Sequence, residues 1–105
     1  MNPPTLFDDL EHPHRVAYDA FIHANPWVLP RLAQLADTVR QRGHTHYGIA
    51  ALVEVLRYEY HTTNDPSSDF KINNNYRAFM ARDLMNLYPH LDGFFDTRKS
   101  VADLK

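Results

Sequence analysis

The chain predicts a mainly α-helical fold. It is a single small domain of about four helices around a central helix at about residues 47–60, with a short extended segment at 70–73 and a C-terminal aromatic lid. Three observations carry that expectation. Apolar residues recur at i, i+3 and i+4 through most of the chain. Proline and glycine interrupt the recurrence at helix-length intervals. And 44% of the 105 residues are hydrophobic, with no cysteine, so a core rather than disulfides must hold the fold. A winged-helix-like version of this arrangement is also open.

Residues 1–12 are polar, carry two prolines and an acidic cluster at Asp8, Asp9 and Glu11, and read as an arm with Leu6, Phe7 and Leu10 as its apolar contacts. The helical domain is assigned to 13–99 and a tail to 100–105. Pro13 suits a first helical position, where its missing N–H costs nothing, and Ala17, Tyr18, Phe21 and Ile22 follow at helical spacing. Asn25-Pro26 stops that helix and is expected to start the next, asparagine as cap and proline at the first position. The second helix is expected to bury Val28, Leu32, Leu35, Ala36 and Val39. Arg40 and Arg42 suit the negative end of its dipole, and Gly43 suits a left-handed cap. Pro30 must either kink this helix or delay its start.

The third helix is expected from about Tyr47 to Tyr60, with Ile49, Leu52, Val53, Leu56 and Tyr60 as its main stripe. Ala51, Val55 and Tyr58 cover much of its other side, and a helix apolar on most faces is normally central. Glu54 and Glu59 are its outlets to water, and Arg57 lies at the margin of the stripe. Residues 61–69 are turn formers throughout and read as a loop. Phe70 and Ile72 then alternate with Lys71 and Asn73, an extended pattern. After Asn73-Asn74-Asn75 the period becomes helical, with Tyr76, Phe79, Met80, Leu84, Leu87 and Tyr88 expected inside. Pro89 ends that helix, and Leu91, Phe94 and Phe95 around Asp92-Gly93 form the lid.

The Asn-rich junction is the most conspicuous chemistry. Asparagine side chains cap exposed first-turn amides, contributing about 1 kcal/mol. Only one of the three can be the cap, so spare amides are available to base edges, with Lys71, Arg77 and Arg82 beside them for phosphates. Asp83 falls inside the apolar arc of the fourth helix, where a carboxylate needs a partner. Arg57 is the first choice for a structural ion pair and Arg98 the second. Two His-x-His pairs, His12/His14 and His44/His46, have a spacing that can reach one metal from an extended strand, but no further ligand pattern completes a site. No metal or cofactor is therefore assigned.

No nucleophile elbow, phosphate-binding loop, zinc-protease motif or dinucleotide fingerprint occurs, so no enzyme class is assigned. Residues 1–9 have neither the basic nor the apolar stretch of a signal peptide, and the longest apolar run, Ile49–Val53, is far short of a membrane span, so a cytoplasmic protein without a membrane partner is expected. A net charge of −2 gives no global attraction to nucleic acid.

The runs Tyr47–Tyr58, Asp69–Tyr76 and Ala81–Met85, with Pro89–Phe95 and Arg98, are similar to those of a group of short uncharacterised proteins of actinobacteria, their phages and prophages. The resemblance spans roughly residues 20–99 and is most specific over 69–98. It implies a phage or prophage context and, through it, regulators and proteins that bind host factors.

Two functions follow as expectations. The first is a small DNA-binding regulator whose fourth helix enters through its Asn-rich start, with Asn73, Asn74, Arg77 and Arg82 facing DNA and Lys71, Arg98 and Lys99 touching phosphates. The nine-residue loop before the extended segment is longer than a helix-turn-helix connection, which counts against it. The second is a protein-binding module, either an inhibitor of a host factor or a homodimerising accessory protein. Trp27, Tyr18, Tyr47, Tyr58, Tyr60 and Tyr88 exceed what one small core must bury, and aromatics are enriched at interfaces.

Overall fold

A computed structural model describes residues 13–96. The arm at 1–12, the tail, His12, Arg98 and Lys99 lie outside the described residues. Four α-helices follow in order: α1 (Pro13–Ala24), α2 (Val28–Gln41), α3 (Ile49–Thr63) and α4 (Arg77–Leu87). Two 3-10 turns flank α4, Asn74–Tyr76 before it and Pro89–Leu91 after it. Helices α2, α3 and α4 pack against one another, and α1 docks on the turn that opens α4.

Local chemistry sets the boundaries. Pro13 begins α1 as expected. Asn25 departs from expectation. Its side-chain amide donates to Phe21 O at 2.9 Å, so it closes α1 rather than capping α2. Helix α2 instead starts after a turn, with Trp27 in the cap position and Arg31 N–H making its first i−4 bond, to Trp27 O. That start places Pro30 in the first turn, where no amide hydrogen is needed, so proline requires no kink. At the other end Gly43 has φ +106°, the left-handed region expected of it.

Helix α3 starts two residues later and ends three residues later than the sequence suggests. Thr62 and Thr63 prolong it by bonding back to the carbonyls of Tyr58 and Glu59. Residues 70–73 are extended but pair with no strand. The only β-bridge among the described residues is an isolated one between Tyr47 and Phe95, so no wing is built.

The core joins Tyr18 of α1 with Val28, Leu32 and Ala36 of α2, Leu52, Val53 and Leu56 of α3, and Phe79, Met80 and Leu84 of α4. Leu91, Phe94 and Phe95 are all buried and close it, as the lid reading expects, around Gly93 at φ +76°. Five expectations of burial fail, at Ala17, Ala51, Val55, Tyr58 and Leu87. Leu87 is 60% exposed, because the chain turns at Pro89 and Leu91 occupies the inward position instead. Ala17 is exposed, since α1 presents only a narrow row centred on Tyr18. Helix α3 is covered on one side, leaving Val55 41% and Tyr58 71% exposed. No helix among the described residues is long and apolar enough to cross a membrane.

Candidate functional site

The polar junction is largely committed to the protein itself. Asn73 caps the 3-10 turn, its Oδ1 accepting from Asn75 N–H at 2.8 Å. Asn74 Oδ1 accepts from Arg57 Nη2 at 2.6 Å, and its backbone carbonyl accepts from Arg77 Nε at 3.1 Å. Arg57 also donates to Ile72 O at 2.6 Å and pairs with Glu54 on its own helix. One guanidinium thus ties α3 to the extended segment and to the start of α4.

Arg57 is consequently not the partner of Asp83, and the expected ion pair does not form. The carboxylate, half-buried on α4, accepts instead from the Tyr18 hydroxyl at 2.6 Å. Arg57 sits at the wrong end of α4 for that role, held on residues that precede its first turn. The alternative partner, Arg98, lies outside the described residues. Tyr18 itself is buried, and its phenol is pushed far above the usual 10.0, first by burial and then by the hydrogen bond and charge of Asp83.

The seven residues expected to face DNA therefore separate. Asn73, Asn74 and Arg77 hold the turn together, Arg77 and Arg82 are half-buried, and Lys71, Asn73 and Asn74 are exposed. Arg98 and Lys99 are not among the described residues. Along α4 only Asn86 and Leu87, at its far end, are exposed. A recognition helix has to lay a face into the groove, and this one is embedded along most of its length.

The aromatic surplus is also mostly internal. Ring centroids run from Trp27 to Tyr60 (5.9 Å), Tyr60 to Phe70 (4.2 Å), Phe70 to Phe21 (5.8 Å) and Phe21 to Tyr76 (5.4 Å), an unbroken chain of contacts. It continues from Tyr76 to Tyr18 (5.6 Å) and Tyr18 to Phe79 (5.2 Å). Tyr47 and Tyr88 pack against the core. Of the six aromatics singled out in the sequence, only Trp27 and Tyr58 stay exposed.

What the sequence did not reveal is a cleft of about 470 Å³ where the start of α2 meets the end of α3. Trp27, Leu56 and Tyr60 give its apolar surface, and Arg31, Glu59 and Thr63 its polar rim. Arg31 grips Glu59 with two bonds, Nε to Oε1 at 2.9 Å and Nη2 to Oε2 at 2.5 Å. Each group stabilises the other's charge, so the guanidinium rises further above its ordinary pKa and the carboxylate falls below its own. The partners are 28 positions apart, and only the packing of α2 on α3 brings them together. A lone tryptophan after Pro26 was the one sequence signal available.

Ala51, Val55 and Tyr58 recur at helical spacing on the outer side of α3, and all three are exposed. Val55, Glu59 and Thr63 form an i, i+4 row, which makes this stripe continuous with the rim of the cleft. Elsewhere His90 Nε2 lies 2.8 Å from Asp37 Oδ1, and His44 and His46 are exposed. Among the described residues no three histidine or acidic side chains are placed to hold a metal ion. Comparison with protein-family models, with curated proteins and with solved structures finds no match.

Proposed function

We propose that this chain is a protein-binding module that docks its partner on the outer face of α3. One observation carries the reading: Tyr58 and Val55 stand 71% and 41% exposed on a helix whose opposite side is core. Leaving such side chains in water forgoes stabilisation, roughly 25 cal/mol for each Å² of apolar surface left unburied. Contiguous apolar surface of this kind marks interaction sites in soluble proteins. Trp27, 40% exposed beside the cleft, extends it with a residue type enriched in binding hot spots.

The DNA-binding expectation receives less support, because the side-chain oxygens of Asn73 and Asn74 and the guanidinium of Arg77 are bonded within the junction. Lys71 is the exposed cation there, next to the exposed Asp69. One exposed lysine beside an acid is a weak electrostatic footprint for a polyanion.

A photo-crosslinking residue at position 58, compared with one at position 71, tests the proposal in an actinobacterial extract, the context the sequence resemblance implies. A discrete protein adduct at position 58, lost in the Val55→Asp background, is the expected result. Adducts to nucleic acid at position 71, with none at 58, would overturn it. Sedimentation of the purified chain shows whether the partner is a second copy.

A further inference from the structure

We infer that the partner docked on the outer face of α3 is a second copy of this chain, its own α3 laid antiparallel along the first about a two-fold axis. This rests on the protein-binding reading and names the partner.

The outer residues of α3 have the spacing of a self-pairing seam. Ala51, Val55, Tyr58 and Thr62 follow at intervals of four, three and four, which keep one stripe of a helix turned toward another. All four are exposed. Thr62 joins the seam through its methyl, because its hydroxyl is turned into its own helix. It donates there to the carbonyls of Tyr58 at 2.8 Å and Glu59 at 3.1 Å. A two-fold axis between Leu56 and Arg57 sets Tyr58 opposite Val55 of the second copy, and Ala51 opposite its Thr62. A ring thus meets a β-branched side chain twice at the centre, and small side chains at both ends let the helices close.

Charge decides the occupant and its direction. Glu54 and His61 are exposed and seven positions apart, about two turns, so they share one edge of the seam. In an antiparallel pair that edge meets its own mate run backwards. Glu54 therefore stands across from His61 of the second copy, and His61 across from its Glu54. The imidazole has an N–H to donate in either tautomer, and a carboxylate already paired, as Glu54 is with Arg57, keeps lone pairs for a second donor. A parallel pair would instead set Glu54 against Glu59, acid against acid. The other edge does not repel, since Arg31 holds Glu59 there through two hydrogen bonds. A partner of different sequence has no need of a face whose two halves complement each other. A second copy does.

The contact is small. A helix of 15 residues is about 22 Å long, which places the interface at the low end of specific ones, below roughly 1,200 Å² in total. The dimer is therefore weak and reversible, with a Kd on the order of 100 µM.

Sedimentation equilibrium across concentrations that bracket that Kd should show monomer and dimer in exchange, with Tyr58→Asp a monomer throughout. Glu54→His alone and His61→Glu alone should each weaken the dimer about tenfold, by losing both cross-pairs. The chain carrying both changes should return to within about threefold of the parent, and so should an equimolar mixture of the two single variants. Direction is read with cysteines, of which the chain has none. Oxidising Ala51→Cys mixed with Thr62→Cys should give the mixed disulfide, whereas Ala51→Cys alone should not link to itself. A chain monomeric across the range, or a dimer indifferent to Tyr58→Asp, overturns the inference. So do single variants that dimerise like the parent, a mixture that fails to regain the dimer, and efficient self-linking of Ala51→Cys. An intrachain adduct from the cross-linker at position 58 to residues 1–12 also overturns it, assigning the face to the arm. Should that cross-linker capture a different protein while the purified chain stays monomeric, the protein-binding reading stands and only the second copy is lost. Absence of both removes both.

Discussion

The junction at residues 72–77 and the outer face of α3 invert what each displays in sequence. The first gathers three asparagines and an arginine, the kind of side chains that reach for a ligand. The second is a plain Ala, Val, Tyr series at helical spacing, the kind that fills a core. In the fold the side-chain oxygens of Asn73 and Asn74 are spent on Asn75 N–H and Arg57, although the residues are exposed, while the apolar side chains of Val55 and Tyr58 face water with nothing over them among the described residues. Polar residues at the start of a helix have local bonding to complete before they are free for recognition. Apolar residues are available for recognition wherever the core has already been closed by others.

The comparison can be broken from either side. The largest effect is expected from Arg57→Met, which removes the bonds to Ile72 O and Asn74 together. A loss of about 2–3 kcal/mol should appear in chemical denaturation, with faster amide exchange confined at first to residues 72–76. If the variant is as stable as the parent, the junction is not held by α3.

Tyr18→Phe should cost about 1–2 kcal/mol, since it leaves the Asp83 carboxylate without the hydroxyl it accepts from. A double-mutant cycle with Asp83→Asn should show coupling for Tyr18 and none for Arg57. The pH dependence has a definite sign. Burial and Asp83 raise the Tyr18 phenol above its ordinary 10.0, so the folded state holds that proton more tightly than the unfolded chain. This contribution is complete below pH 10 and fades as pH climbs past it. Tyr18→Phe should therefore be less stable at neutral pH and decline less steeply in alkali, as thermal melts across pH 8–11 would show.

Asn73→Ala removes one cap bond, for about 1 kcal/mol. Smallest of all, Tyr58→Asp and Lys71→Ala should each leave stability within about 0.5 kcal/mol of the parent, both being exposed. The pair sharpens the contrast, because only Tyr58→Asp should weaken capture of a protein partner.

Much of the architecture was legible because local signals agreed with one another. Pro13, Gly43, the polar loop and the Pro89 stop each mark a boundary through a backbone property that acts within a few residues. Periodicity found Leu32, Leu52, Leu56, Met80 and Leu84 for the core. It could not tell that one apolar side of α3 would go uncovered, since that depends on how many neighbours the helix receives. Asp83 was recognised as needing a partner, with Arg57 and Arg98 as the candidates; Tyr18, 65 positions away, is brought to it only by the packing of α1. The cleft was beyond reach for the same reason. Trp27, Arg31 and Glu59 come from two helices, and nothing local to either announces the other.

The most direct test of the account is a titration of the ¹⁵N-labelled protein with random-sequence duplex DNA at low salt, where even non-specific binders show themselves. The account predicts that the resonances of Lys71, Asn73, Asn74 and Arg77 stay in place. Saturable shifts at those four residues that vanish as salt is raised would contradict it and return recognition to the junction.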